Sequence, residues 1–135
     1  MIKLIITGHG KFSNGMLDGI TFIMGAQSDI IKVEFDNMDL GIYSNEIEDI
    51  IKNSNQGTVI FTDLIGGTPF RISTLLCAKY DNVYVITGSN IPMIIEAIIK
   101  REIMPLKELA KQIIDIGKDG IQVFDRQLII EKSKT

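Results

Sequence analysis

The stretch LIITGHGKF, residues 4–12, decides how the chain folds. An unbroken aliphatic run ends in two glycines that flank His9, the only histidine among 135 residues. Without polar alternation the run predicts a strand covered on both faces, the hallmark of a parallel sheet. Three further runs repeat it: IIKVEF (30–35), TVIFT (58–62) and VYVIT (83–87).

Segments with helical spacing separate these runs. Met16, Leu17, Ile20 and Met24 form one apolar stripe, with Ser13 or Asn14 as N-cap. Ile47, Ile50 and Ile51 form a second, and Phe70, Thr74, Leu75 and Ala78 a third after the turn GGTP. In NIPMIIEAIIK (90–100), Asn90 caps, Pro92 sits in the first turn, and the body is apolar almost all round. Such a helix is either deeply buried or meets another subunit, with Met93 a candidate interface residue. Leu106, Leu109, Ala110, Ile113 and Ile114 mark a fifth helix between Pro105 and Gly117. GIQVF (120–124) reads as a last, isolated strand and RQLIIEKSKT as a mixed tail. The alternation predicts an α/β, flavodoxin-like open sheet of strand order 2-1-3-4, helices on both faces and a short C-terminal edge strand. Residues 1–125 form one domain and 126–135 a tail.

Bulk properties narrow the function. A net charge of −3 argues against binding to nucleic acid or anionic lipid. The single cysteine, Cys77, excludes an internal disulfide and a CxxC metal cluster. Placed among Leu75, Leu76 and Ala78, it reads as a packed, inert thiol. No segment is long and apolar enough to span a bilayer, and MIKLIITG lacks a signal-peptide cleavage site. A cytoplasmic protein without metal or cofactor is expected.

In an open parallel sheet, ligands bind outside the carboxyl ends of the strands where strand order reverses. For order 2-1-3-4 that point lies between the first and third strands. The first ends at His9 and the third at Asp63, so residues 54 positions apart converge there. A carboxylate on one ring nitrogen fixes the tautomer, frees the other nitrogen as nucleophile and stabilises the developing positive charge. Gly8 and Gly10 are expected to open space around the imidazole. Gly66, Gly67 and Thr68 precede a helix and suit phosphate oxygens. Lys11 and Arg71 are candidates for meeting a phosphate or a partner. Read alone, His9 is a structural residue, GGTP a turn and Asp63 a cap; their joint placement favours chemistry.

Three motifs in order, GHG, DLIGGTPF and GSNIPMIIEA, resemble the IIA component of the mannose family of bacterial sugar phosphotransferase systems (PTS). The resemblance spans about residues 1–125, and the motifs are closest to the amino-sugar branch, such as N-acetylgalactosamine. It implies that His9 takes a phosphoryl group from the carrier HPr and passes it to the IIB component, and through it serves the membrane IIC/IID permease. It further implies that Asp63 orients the histidine, that phosphate sits on Nε2 near Thr68, and that Asn90 lies in a partner-facing motif. It also implies a homodimer, often with the last strand exchanged. Leu64-Ile65 stands where some mannose-specific members have an aromatic residue. Two alternatives remain at this point. One is a regulatory IIA-like module, such as that of a dihydroxyacetone kinase system or a transcription regulator. The other is a flavodoxin-like nucleotide binder, disfavoured by the absence of GxxxxGK[ST] and GxGxxG.

Overall fold

The computed structural model describes residues 1–37 and 39–134. Four parallel strands, β1 (Lys3–His9), β2 (Ile30–Phe35), β3 (Thr58–Thr62) and β4 (Val83–Ile86), form one sheet in the order β2-β1-β3-β4. The strands coincide closely with the four aliphatic runs, because only continuous apolar segments survive burial on both faces. In β1, Leu4 and Ile6 enter one core and Ile5 the other. All five residues of β3 are buried.

Helices α1 (Phe12–Met24), α4 (Ile91–Lys100) and α5 (Leu106–Asp119) cover one face, where Leu4, Ile20, Val59, Phe61, Ile94, Leu109 and Ile113 pack. Helices α2 (Leu40–Lys52) and α3 (Gly67–Lys79) cover the other, over Ile5, Val33, Ile60, Tyr43, Ile47 and Leu76. Asp39 caps α2 by accepting from the Ile42 N–H, 3.1 Å. Asn90 caps α4 as anticipated, accepting from the Met93 N–H at 3.3 Å. Met93 is buried in the core rather than offered to an interface.

Several expectations are corrected. Residue 11, not 13 or 14, occupies the N-cap of α1, and Ser13 is fully buried inside the first turn. Helix α3 buries Pro69, Ser73 and Leu76, and Leu75 faces solvent. With so mixed a composition, one residue of phase decides which stripe is buried. Residues 121–125 form no strand, since no partner strand lies beside them in this chain; Ile121, Val123 and Phe124 are exposed. The tail forms α6 (Arg126–Ser133), capped by Asp125 and burying none of its residues. Cys77 is half-buried, with its thiol 3.1 Å from the Val83 carbonyl.

At the N-terminal end of the strands, Arg101 closes the fold. Following α4, it is 5% exposed and donates to the carbonyls of Ile2 (3.2 Å), Asp29 (3.1 Å) and Ser28. These bonds tie the end of α4 to the start of β1 and to the turn into β2.

Candidate functional site

Strand β1 runs two residues beyond its pairing with β3, which ends at Thr7 opposite Thr62. His9 therefore projects past the third strand, at the carboxyl edge where strand order reverses. Asp63 follows Thr62 directly and reaches across. Its Oδ2 accepts from the His9 backbone N–H at 2.9 Å and lies 2.8 Å from His9 Nδ1. Its Oδ1 accepts from the Leu64 N–H at 2.9 Å. The expected convergence of His9 and Asp63 is present as a direct contact.

Burial pulls the Asp63 carboxyl upward, but hydrogen bonds from the His9 backbone and ring and from Leu64 outweigh it. The net effect holds it below the ordinary carboxylate value, so it is ionised near neutral pH. An ionised carboxylate only accepts hydrogen bonds, so Nδ1 carries a proton, and in the neutral tautomer that this selects Nε2 presents the lone pair. The His9 side chain is 47% exposed and that of Asp63 12%. The carboxylate is thus shielded and the imidazole reachable.

The glycines have other reasons than the access expected from sequence. A Cβ at Gly8 would lie 2.6 Å from the Phe12 ring and 2.9 Å from Asp63 Cγ, so the absent side chain admits Asp63. Gly10 has open space around it and is needed for its φ of +55°. Gly67, at φ +74°, passes so close to the imidazole that a Cβ would stand 2.8 Å from Cε1 and 3.1 Å from Nε2. This brings the start of α3, where backbone N–H groups lack intrahelical acceptors, alongside Nε2. Gly66, Gly67 and Thr68 line a hollow of about 350 Å³ together with Phe70, Arg71 and Thr74.

The remaining candidates differ in availability. Lys11 is exposed, with Nζ 4.0 Å from Glu34. Arg71 is exposed on the rim of the hollow. Asn90 is committed inside the fold: its Oδ1 caps α4 and its Nδ2 donates to the Gly117 carbonyl at 2.9 Å. Leu64 and Ile65 are 50% and 72% exposed beside the site, an apolar rim well suited to a protein surface.

Sequence reasoning missed Phe35. It ends β2 directly opposite His9, and the two rings meet edge to face with centroids 6.1 Å apart. The signal was present: with β2 beside β1, the last residue of VEF falls level with His9. Among the described residues no group of three His, Cys, Asp or Glu side chains could hold a metal ion. Among them, too, no helix is long and apolar enough to cross a membrane.

Comparison with known proteins points to one family. The family profile EIIA-man, described as the PTS system fructose IIA component, matches residues 3–114. The PTS system fructose-specific EIIA component of Bacillus subtilis is 28% identical over 141 residues, covering 100% of this chain and 93% of that protein. The crystal structure of phosphotransferase system component EIIA from Streptococcus agalactiae superposes with a TM-score of 0.86 at 30% identity, covering 92% of this chain and 98% of that one. The mannose/sorbose specific IIA subunit from Enterococcus faecalis gives 0.82 at 28% identity, covering 91% and 94%.

Proposed function

The chain belongs to the EIIA-man family of phosphotransferase-system IIA components, and on that premise we propose that it carries a phosphoryl group on His9 between two protein partners. The donor is the phosphohistidine of HPr and the acceptor is the IIB component, which serves the membrane permease; the exchange takes place in the cytoplasm. The observation that carries this reading is the double use of Asp63 Oδ2. By binding both the His9 backbone N–H and Nδ1, it holds the ring and leaves Nε2 outward.

In the first step the Nε2 lone pair attacks the donor's phosphorus. An N–P bond forms on His9, the donor's N–P bond breaks, and its electron pair returns to the donor imidazole. The ring gains positive character, which the Asp63 carboxylate stabilises through Nδ1–H. The phosphoryl oxygens fall beside Gly67 and Thr68, where the first-turn N–H groups of α3 and the Thr68 hydroxyl receive them. Lys11 and Arg71 are placed to meet the partner. The second step repeats the first with the IIB nucleophile attacking, so no proton, electron or cofactor is consumed. Energetically the site needs little driving force, since one N–P bond replaces another.

Incubation with phosphoenolpyruvate, enzyme I and HPr, followed by intact mass, tests the proposal. A single acid-labile phosphoryl adduct is expected, absent in His9→Ala and discharged by a cognate IIB. An unmodified wild-type protein would sink it. An adduct that no IIB discharges would favour the regulatory reading.

For the assembly we infer a homodimer that exchanges residues 121–124. Among the described residues the outer edge of β4 is unpaired, and beside it Tyr84, Val85, Ile86, Ala110 and Ile114, together with Lys107, Lys111 and Asp115, line a groove of about 590 Å³. Ile121, Val123 and Phe124, exposed in the single chain, supply the apolar strand such an edge accepts. Light scattering should report a dimer for the wild type and a monomer for Val123→Lys.

A further inference from the structure

Asp63 alone leaves the His9 ring incompletely held. One hydrogen bond at Nδ1 selects the tautomer and the side of the ring that faces the carboxylate. The ring plane can still rock about Cβ–Cγ within the angular tolerance of that single hydrogen bond. An Nε2 lone pair lies in that plane, so any swing redirects the attack.

The structure supplies a second constraint on the opposite strand. Phe35 is 7% exposed, and its ring meets His9 with an interplanar angle of 83°. Its carbonyl also accepts from the Gly10 N–H at 2.9 Å, so Phe35 grips the backbone on the far side of His9. Behind it stands Tyr43, tilted 58° with ring centroids 5.0 Å apart. Tyr43 is fully buried, and its hydroxyl lies 2.6 Å from Thr7 Oγ1, which itself donates to the Val33 carbonyl at 2.7 Å. Because Thr7 has given its proton to Val33, the phenol is the donor in that pair. Burial pushes the Tyr43 phenol up to about 12, so the link persists across the working pH range. Thr7 and Val33 belong to β1 and β2, so the stack is anchored to the two strands whose ends carry His9 and Phe35.

Resting on the phosphoryl-transfer reading above, we propose that Phe35 is a positioning residue, its ring braced by Tyr43 to hold the plane of the His9 imidazole. The ring is then bracketed by three elements: Asp63 at Nδ1, Gly67 along Cε1 and Nε2, and Phe35 against its remaining side. Edge-to-face aromatic contact suits the task, being directional where aliphatic packing is not. A positioning error near 1 Å at a reacting atom costs on the order of 100-fold, so a partial loss of hold should be readable in rate.

The test compares Phe35→Leu, which keeps apolar volume and removes the flat face, with Phe35→Tyr, which keeps a ring. Two readouts are needed. In the unphosphorylated protein, NMR relaxation at His9 Cε1 should give a rigid ring in the wild type and in Phe35→Tyr. In Phe35→Leu the order parameter should fall toward the flexible range, below about 0.6. In single-turnover transfer from phospho-HPr, Phe35→Leu should be about tenfold slower with an intact fold by circular dichroism, and Phe35→Tyr near wild type. Tyr43→Phe, which removes only the hydroxyl brace, should loosen the ring less than Phe35→Leu.

A wild-type rate and a rigid ring in Phe35→Leu would overturn the proposal. So would equal slowing in Phe35→Leu and Phe35→Tyr, which would make Phe35 ordinary packing. Should either Phe35 variant fail to fold, Tyr43→Phe decides: an unchanged ring order parameter overturns the brace. Failure of the wild type to accept phosphate would instead sink the functional reading, and the NMR comparison would still judge the positioning.

Discussion

The two ends of the sheet each hold one charged side chain against backbone groups, with opposite results. At the carboxyl end, Asp63 accepts from the backbone N–H groups of His9 and Leu64. At the amino end, Arg101 donates to the carbonyls of Ile2, Ser28 and Asp29. The Asp63 contacts leave a half-exposed imidazole whose outer nitrogen is free. The Arg101 contacts are all internal, and nothing reactive is left over. A charge becomes chemistry when one of its partners is itself titratable and reachable; when every partner is a backbone carbonyl it becomes structure. Burial opposes the charge in both cases. Hydrogen bonds outweigh it at Asp63, whereas at Arg101 burial dominates over the favourable charges of Asp29 and Glu102.

The comparison breaks most sharply at Gly67. Gly67→Ala sets a methyl group against the imidazole, in a backbone region that disfavours Cβ, and should slow transfer from phospho-HPr about 100-fold. The cost in stability should stay near 1 kcal/mol, because the site is at the surface. A rate near wild type would mean that the α3 loop relaxes freely and does not define the site.

Arg101→Met probes the other end and should do the reverse. Three carbonyls lose their donor, which should cost about 2–3 kcal/mol in denaturant unfolding. Phosphoryl acceptance by the folded fraction should be unchanged. A loss of transfer at full stability would show that the two ends are coupled, and the division drawn here would fail.

The smallest effect is in pH dependence. The folded-state pKa of Asp63 is depressed, so its contribution is fully present above the unfolded carboxylate value, about 3.9. It is lost as the pH falls through the lower folded-state value. Asp63→Asn should therefore flatten the acid side of the stability profile below about pH 4, measured by thermal melts. At neutral pH the same variant should accept phosphate more slowly, since an amide neither fixes the tautomer nor balances charge. Identical acid limbs in the two proteins would contradict the hydrogen-bond network at this carboxylate.

Much of this arrangement is legible along the chain. Runs of β-branched and aliphatic residues mark β2 and β3 residue for residue, and β1 to within two residues at its end, because burial on both faces leaves no room for polar alternation. Order 2-1-3-4 then brings His9 and Asp63 together without knowledge of any contact. The stripe of α5 is equally clear, since Leu109, Ala110 and Ile113 repeat at helical spacing and are all buried.

The rest depended on pairs of residues distant in sequence. Nothing local to Gly8 shows that a Cβ would strike Asp63, and nothing local to Gly67 shows the imidazole beside it. The buried side of α3, with Pro69, Ser73 and Leu76, was decided by packing on the sheet, since Phe70, Ser73, Thr74 and Leu75 give no decisive stripe of their own. GIQVF has the composition of a strand, yet a strand exists only where it docks on a neighbour's hydrogen bonds, and among the described residues of the single chain it docks on none. Phe35 became part of the site through register, and Arg101 became a clasp through three carbonyls brought together by folding. Periodicity is a property of neighbours along the chain, so the sequence by itself determined the four strands, the five helices that follow them up to residue 119, their order and the meeting of His9 with Asp63. Close approach is a property of neighbours in space, so the tertiary structure alone decided what holds that imidazole and from which side it is open.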